Sequence, residues 1–207
     1  MVAIRKGGEA VKTRNIIGAV SLIVLMTTAV FLLPAIYTTK DSAADSLPPS
    51  YQISDTANRI DYQDGGLCGA YAAAYVMRHF GSQTSAEDLS PSLQQRFGFT
   101  SPNSVASLLK ENGYDAKAYH GDLNTLQTRV AKGDPVIVYI RIPHDTHYAV
   151  VTGYDEDHIY LADSLRENAN ADEKPYNRII AKDEFEELWK TGSLLDDNIY
   201  IAVNEKR

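Results

Sequence analysis

The sequence predicts an α+β domain, with helices gathered in its first half and an antiparallel sheet in its second. Two observations carry this expectation. A run of small and apolar residues from Cys68 to Phe80 reads as a buried helix closed by Gly81, and two further helix signatures follow before Asn112-Gly113. From Pro135 onward the apolar residues instead fall into short β-branched runs separated by turn residues.

Each element has a local reason. Thr84-Ser85-Ala86-Glu87-Asp88-Leu89 starts a second helix after the first, and Thr100-Ser101-Pro102-Asn103 caps a third. In that third helix Val105, Leu108 and Leu109 repeat at the helical spacing. Tyr114 to Tyr119 alternates weakly, as an edge strand does, and Leu123 to Val130 reads as a short helix. Pro135 to Ile140, His147 to Gly153 and His158 to Leu161-Ala162 are three strands, with Asp155-Glu156-Asp157 turning between the last two. Arg178-Ile179-Ile180 is a fourth, Asp183 to Trp189 a helix, and Asn198 to Val203 a final strand.

The N-terminus reads differently. Residues 1–15 carry Arg5, Lys6, Lys12 and Arg14 against a single Glu9, and the 22 residues Ile16 to Tyr37 hold no charge. About 20 apolar residues span a bilayer core, and basic residues before the span keep that end in the cytoplasm. The expectation is therefore one transmembrane helix over 16–37, a polar linker over 38–52 rich in Ser and Pro, and a folded domain over 53–207. The apolar run is longer than the ~7–15 residues of a signal peptide, although Ser42-Ala43-Ala44 offers a small-residue cleavage site. Either way the domain is expected outside the cytoplasm, anchored or secreted. Beyond Tyr37 the chain carries 16 Lys and Arg against 26 Asp and Glu, net −10. That balance excludes the clustered bases that nucleic acid requires.

The chemistry centres on Cys68, the only cysteine, which cannot form an internal disulfide. It follows Gln63-Asp64-Gly65-Gly66-Leu67 and opens the first helix. A helix N-terminus and a neighbouring imidazolium stabilise the thiolate, the nucleophilic form of the thiol. His147 stands 79 residues later at the head of a strand, and Asp163 sixteen residues further at the end of another. In these roles His147 moves the proton and Asp163 fixes its tautomer. The Gln63 amide, with the Cys68 backbone N–H, would hold an oxyanion. A nucleophilic cysteine, a histidine and an aspartate in this order suggest a papain-like cysteine hydrolase.

The same residues resemble family 39 of the cysteine peptidases, the bacteriocin-leader-processing group and its single-domain relatives. The likeness runs through Gln63…Cys68-Gly69-Ala70, Thr100-Ser101-Pro102, Gly133-Asp134-Pro135, His147 to Tyr154, Ile159 to Asp163 and Phe185…Leu188-Trp189. It implies a papain-like fold, hydrolysis of peptide or protein substrates, a Cys68–His147–Asp163 triad with Gln63 at the oxyanion, and no cofactor. Two departures stand out. The best-known members are fused to an ABC transporter, whereas this sequence has no P-loop, so their leader specificity does not transfer. Asp163 is followed by Ser164 where relatives often have proline, and Arg166 to Pro175 forms a polar, insertion-like loop.

Other residues read as structural. His79 and His120 sit at element ends, and His158 faces solvent across its strand. His144 falls in a turn, and the His144…His147 spacing lacks further ligands for a metal. Glu184, Glu186 and Glu187 form a solvated helix face, and Tyr71 and Tyr75 pack as core. Two other functions fit the same residues: a transglutaminase-like acyl transferase, whose cysteine-to-histidine gap is usually shorter, and an inactive relative that binds a partner in the same cleft.

Overall fold

The computed structural model describes residues 41–54, 57–64, 67–93, 100–172, 174–192 and 197–205. The chain divides into two compact units, 1–36 and 37–207, and the description concerns the second. The basic segment 1–15 and the expected membrane span 16–37 lie outside the described residues. No helix among the described residues is long and apolar enough to cross a membrane.

Local signals place the helices. The alanine-rich α1 (Cys68–His79) ends where Gly81 takes a φ of 88°, a backbone conformation that glycine adopts without strain. It is followed by α2 (Ala86–Leu93) and α3 (Pro102–Glu111). Ser101 caps α3 by accepting from the Ser104 N–H, with Pro102 at the first helical position. Asp122 and Thr125 form a reciprocal capping box at the start of α4 (Leu123–Val130).

The strands are β1 (Tyr51–Gln52), β2 (Tyr114–His120), β3 (Val136–Ile142), β4 (Asp145–Tyr154), β5 (His158–Ala162), β6 (Arg178–Ala181) and β7 (Ile199–Glu205), with α5 (Lys182–Trp189) between the last two. They form one sheet in the order β2-β7-β3-β4-β5-β6, every pair antiparallel. β1 pairs with β4 through Tyr51↔Tyr154 and Gln52↔Gly153. A Cβ on Gly153 would lie 2.8 Å from the Tyr51 carbonyl oxygen, so glycine is required for that approach.

The expected packing of a helical half on a sheet is corrected in one respect: helices cover both faces. α1, α2 and α3 bury Ala73, Val76, Val105 and Leu109 against Ile137, Val150 and Ile201. On the opposite face α4 and α5 bury Leu126, Val130, Phe185 and Trp189 against Val138, Val151, Leu161 and Tyr200. Alternate residues of the central strands thus enter different cores, which explains why those strands read as continuous apolar runs.

Residues 41–52, polar linker by composition, are held to the domain along their length. The Asp41 carboxylate pairs with Arg129 of α4 and accepts from the Tyr200 hydroxyl at 3.2 Å. The Ala44 N–H donates to Thr128 Oγ1 at 2.9 Å, and the Tyr154 hydroxyl donates to the Pro48 carbonyl at 3.2 Å.

Candidate active site

Cys68 is the first residue of α1 and is half-buried. The residue before it, Leu67, is the N-cap but supplies no side-chain hydrogen bond, and the first turn carries no acidic residue. The amide end of the helix is therefore uncapped by any side chain next to the thiol, where its positive dipole favours an anion. Close packing of that turn depends on Gly69. A Cβ there would sit 2.9 Å from Val105 Cγ2 and 3.4 Å from Tyr148 Cδ2.

His147 lies near the start of β4 and is 1% exposed. Its Nε2 bonds Asp163 Oδ1 at 2.8 Å, and the Cys68 side chain lies close enough to interact with the ring. Burial alone would push the imidazole toward its neutral form. The bond to Asp163 and then that to Cys68 outweigh burial, together with the charges on both, and raise the His147 pKa from 6.5 to about 9. The ring is thus poised as an imidazolium, with both nitrogens donating.

Asp163, just beyond β5, is fully buried. Burial pushes its carboxyl upward, but the bond from His147, that cation's charge, the Leu165 N–H and the Arg178 guanidinium hold it below the ordinary carboxylate range. Oδ1 accepts from His147 and from the Leu165 N–H at 2.9 Å. Oδ2 accepts from Asn168 Nδ2 and Arg178 Nη1, both at 3.0 Å. An ionised carboxylate this deep persists only when paired and fully hydrogen-bonded, and these four donors meet that condition.

Gln63 reaches the same point from the other side. Its backbone N–H donates to the Ser164 carbonyl at 2.9 Å, and the Ser164 hydroxyl donates to Gln63 Oε1 at 2.8 Å. The structure therefore links His147, Asp163, Ser164 and Gln63 through hydrogen bonds and the one Asp163–Ser164 peptide, with Cys68 beside His147.

The polar loop after Ser164 supports this arrangement. Asn168 belongs to a 3-10 turn over Arg166–Asn168, and the Arg166 guanidinium stacks 3.9 Å from the centre of the Tyr62 ring. Pro175 is buried and its carbonyl accepts from the Tyr75 hydroxyl at 2.7 Å. Asn168, Asn177 and Arg178 were not singled out from the sequence. The signal for them was the asparagine-rich composition of a short inter-strand loop, which suits side-chain bonding to backbone. A narrow cleft opens beside α1, lined by Asp61, Tyr71, Tyr75, Tyr148, Ala162 and Ser164 among others. Tyr75 is core as expected, whereas Tyr71 is half-buried on the cleft and donates to Glu87 at 3.3 Å.

The remaining histidines lie elsewhere. His144 is exposed in the β3–β4 turn with a φ of 71°. His120 Nδ1 contacts the Asp197 carbonyl oxygen at 2.8 Å, His158 Nδ1 lies 3.2 Å from Asp155, and His79 packs edge-on to Phe80. Glu184, Glu186 and Glu187 are exposed on α5.

Residues 45–193 match the profile of the family described as "Peptidase C39 like family". Among solved structures, the fold is similar to the peptidase domain of Streptococcus ComA, a bi-functional ABC transporter involved in quorum sensing. That likeness has 18% identity and a TM-score of 0.57, covering 72% of this chain and 98% of that one. A C39-like peptidase from Bacillus anthracis gives 15% identity and a TM-score of 0.56, covering 75% of this chain and 98% of that one. A double glycine motif protease from an AMS/PCAT transporter, in complex with the leader peptide, gives 16% identity and a TM-score of 0.54 over the same shares. At these identities the likeness is one of fold. No curated protein matches the chain.

Proposed function

Since this chain belongs to the peptidase C39-like family and is a cysteine-type peptidase, we propose that it hydrolyses peptide bonds through Cys68, His147 and Asp163, with Gln63 at the oxyanion. The observation that carries this reading is the buried His147, bonded through Nε2 to Asp163 and close enough to Cys68 for the thiol to act on its ring.

The Cys68 thiolate attacks the peptide carbonyl carbon, and the carbonyl oxygen becomes an oxyanion. The Gln63 Nε2–H and the Cys68 backbone N–H donate to it, an arrangement whose individual donors are each worth about 10²–10³ in rate elsewhere. His147 gives its Nδ1 proton to the leaving amine as the C–N bond breaks, leaving a thioester. It then takes a proton from water, whose oxygen attacks the thioester carbonyl, and returns that proton to the departing Cys68 sulfur. Asp163 keeps the imidazole oriented throughout and offsets its charge.

The substrate is proposed to be a peptide or protein, a class represented by the leader peptide bound to the related transporter protease. The uncharged run Ile16–Tyr37 after four basic residues supports a single-pass anchor with the peptidase domain outside the cytoplasm.

The test is the rate of Cys68 alkylation by iodoacetamide against pH, on the protein and its His147→Ala variant. Fast modification well below the free-thiol pKa of about 8.5, lost in the variant, is expected. An ordinary-thiol profile in both proteins would sink the reading in favour of a binding domain.

A further inference from the structure

We infer that Ser164 is a positioning residue for the oxyanion donor, acting through the orientation of the Gln63 amide. The inference rests on the reading of Cys68 as nucleophile and Gln63 as donor, and names a residue that this reading does not use. Asp163 and Ser164 are adjacent at the end of β5, and each holds a different member of the site. Asp163 takes His147, and Ser164 takes Gln63.

Gln63 is fastened to Ser164 twice, by its backbone N–H to the Ser164 carbonyl and by its Oε1 to the Ser164 hydroxyl. Ser164 is itself buried, at 7% exposure. A primary amide has two unlike ends, an acceptor oxygen and a donor NH₂. It can stabilise an oxyanion only with the NH₂ turned toward it, which leaves Oε1 pointing back into the protein. That orientation is satisfied when the group behind it donates a hydrogen bond. The Ser164 hydroxyl does so, and among the described residues it is the partner Oε1 has. An aliphatic side chain at 164 would leave the part-buried Gln63 carbonyl without its donor, a loss that favours the amide turning away.

Two reagents separate this role from a general structural one. Acylation of Cys68 by N-acetylglycine 4-nitrophenyl ester passes through a tetrahedral oxyanion, whereas alkylation by iodoacetamide displaces iodide and forms none. In Ser164→Ala, acylation is expected to fall about tenfold, below the 10²–10³ that loss of a whole oxyanion donor costs, with alkylation unchanged. Ser164→Thr keeps the hydroxyl, so acylation is expected well above that of Ser164→Ala. In a Gln63→Ala background, Ser164→Ala is expected to change nothing further, because its effect runs through that amide. The inference is overturned if Ser164→Ala acylates at the wild-type rate, if acylation and alkylation fall together, or if the Ser164 and Gln63 losses multiply. A wild-type protein that the ester does not acylate at all would instead overturn the peptidase reading, and the inference with it.

Discussion

Asn177 brackets the peptide of Asp163. The Asp163 N–H donates to Asn177 Oδ1 at 2.8 Å, and Asn177 Nδ2 donates to the Asp163 carbonyl at 2.9 Å. The same Nδ2 lies 3.3 Å from the Tyr62 hydroxyl, beside Gln63. One buried side chain thus ties the carboxylate bonded to His147 to the segment that carries Gln63.

Replacing Asn177 by alanine removes both backbone partners of Asp163 and leaves a buried N–H and C=O unsatisfied. At about 1 kcal/mol per lost bond and more for each orphaned group, we expect destabilisation by roughly 2–3 kcal/mol, read from urea unfolding. Peptidase turnover is expected to fall at temperatures where the variant is still folded. A variant as stable as the wild type would show that the bracket carries no stability.

The raised pKa of His147 fixes a pH dependence. In the unfolded chain the imidazole titrates near 6.5 and in the folded protein near about 9, so folding favours the imidazolium. Its stabilising contribution is fully present below about pH 6.5 and is lost as pH rises through about 9. Thermal midpoints measured from pH 6 to 10 are expected to fall more steeply for the wild type than for His147→Gln. Parallel curves would contradict the assigned ion pairing.

Gly69→Ala sets two effects against each other. Alanine favours a helix over glycine by about 1 kcal/mol, but the new methyl meets Val105 at 2.9 Å and also Thr100 and Tyr148. Valine is stiff about its first torsion, and overpacking costs about 1–3 kcal/mol. We expect crowding to win by about 1 kcal/mol, with slower Cys68 alkylation as the first turn of α1 shifts. Faster alkylation with higher stability would reverse this assignment.

Arg129→Ala removes the cation that faces the half-buried Asp41 carboxylate. The segment 41–50 is expected to lose amide protection in hydrogen exchange, with global stability lower by about 1–3 kcal/mol for an ion-paired, partly buried side chain. Unchanged protection at Ala44 would show that Thr128 and Tyr154 suffice to hold the segment.

The elements were legible because their signals are local: Gly81 ends a helix, Ser101-Pro102 starts one, and Asp155 to Asp157 turns between strands. Cys68, His147 and Asp163 were visible for the same reason, each standing at the end of an element. Their surroundings were not. Ser164 meets Gln63 across 101 residues, and Arg178 and Asn168 meet Asp163 only once the loop closes. In sequence these residues have the composition of a solvated loop. The docking of 41–52 was hidden because scattered pairs such as Asp41–Arg129 hold it, with no apolar period. Which face of the sheet α4 covers follows from topology, and its amphipathic pattern is the same either way.

The position of β7 bears on how the protein comes into being. This strand, residues 199–205, lies inside the sheet between β2 and β3, so both neighbours await a segment synthesised long after them. Until it arrives, β2 has no partner among the described strands and the core beneath Ile201 is open. Non-local pairing of this kind is formed late. A nascent chain therefore holds β2 and β3 before the strand that joins them, and the sheet is completed only when residues 199–205 are available.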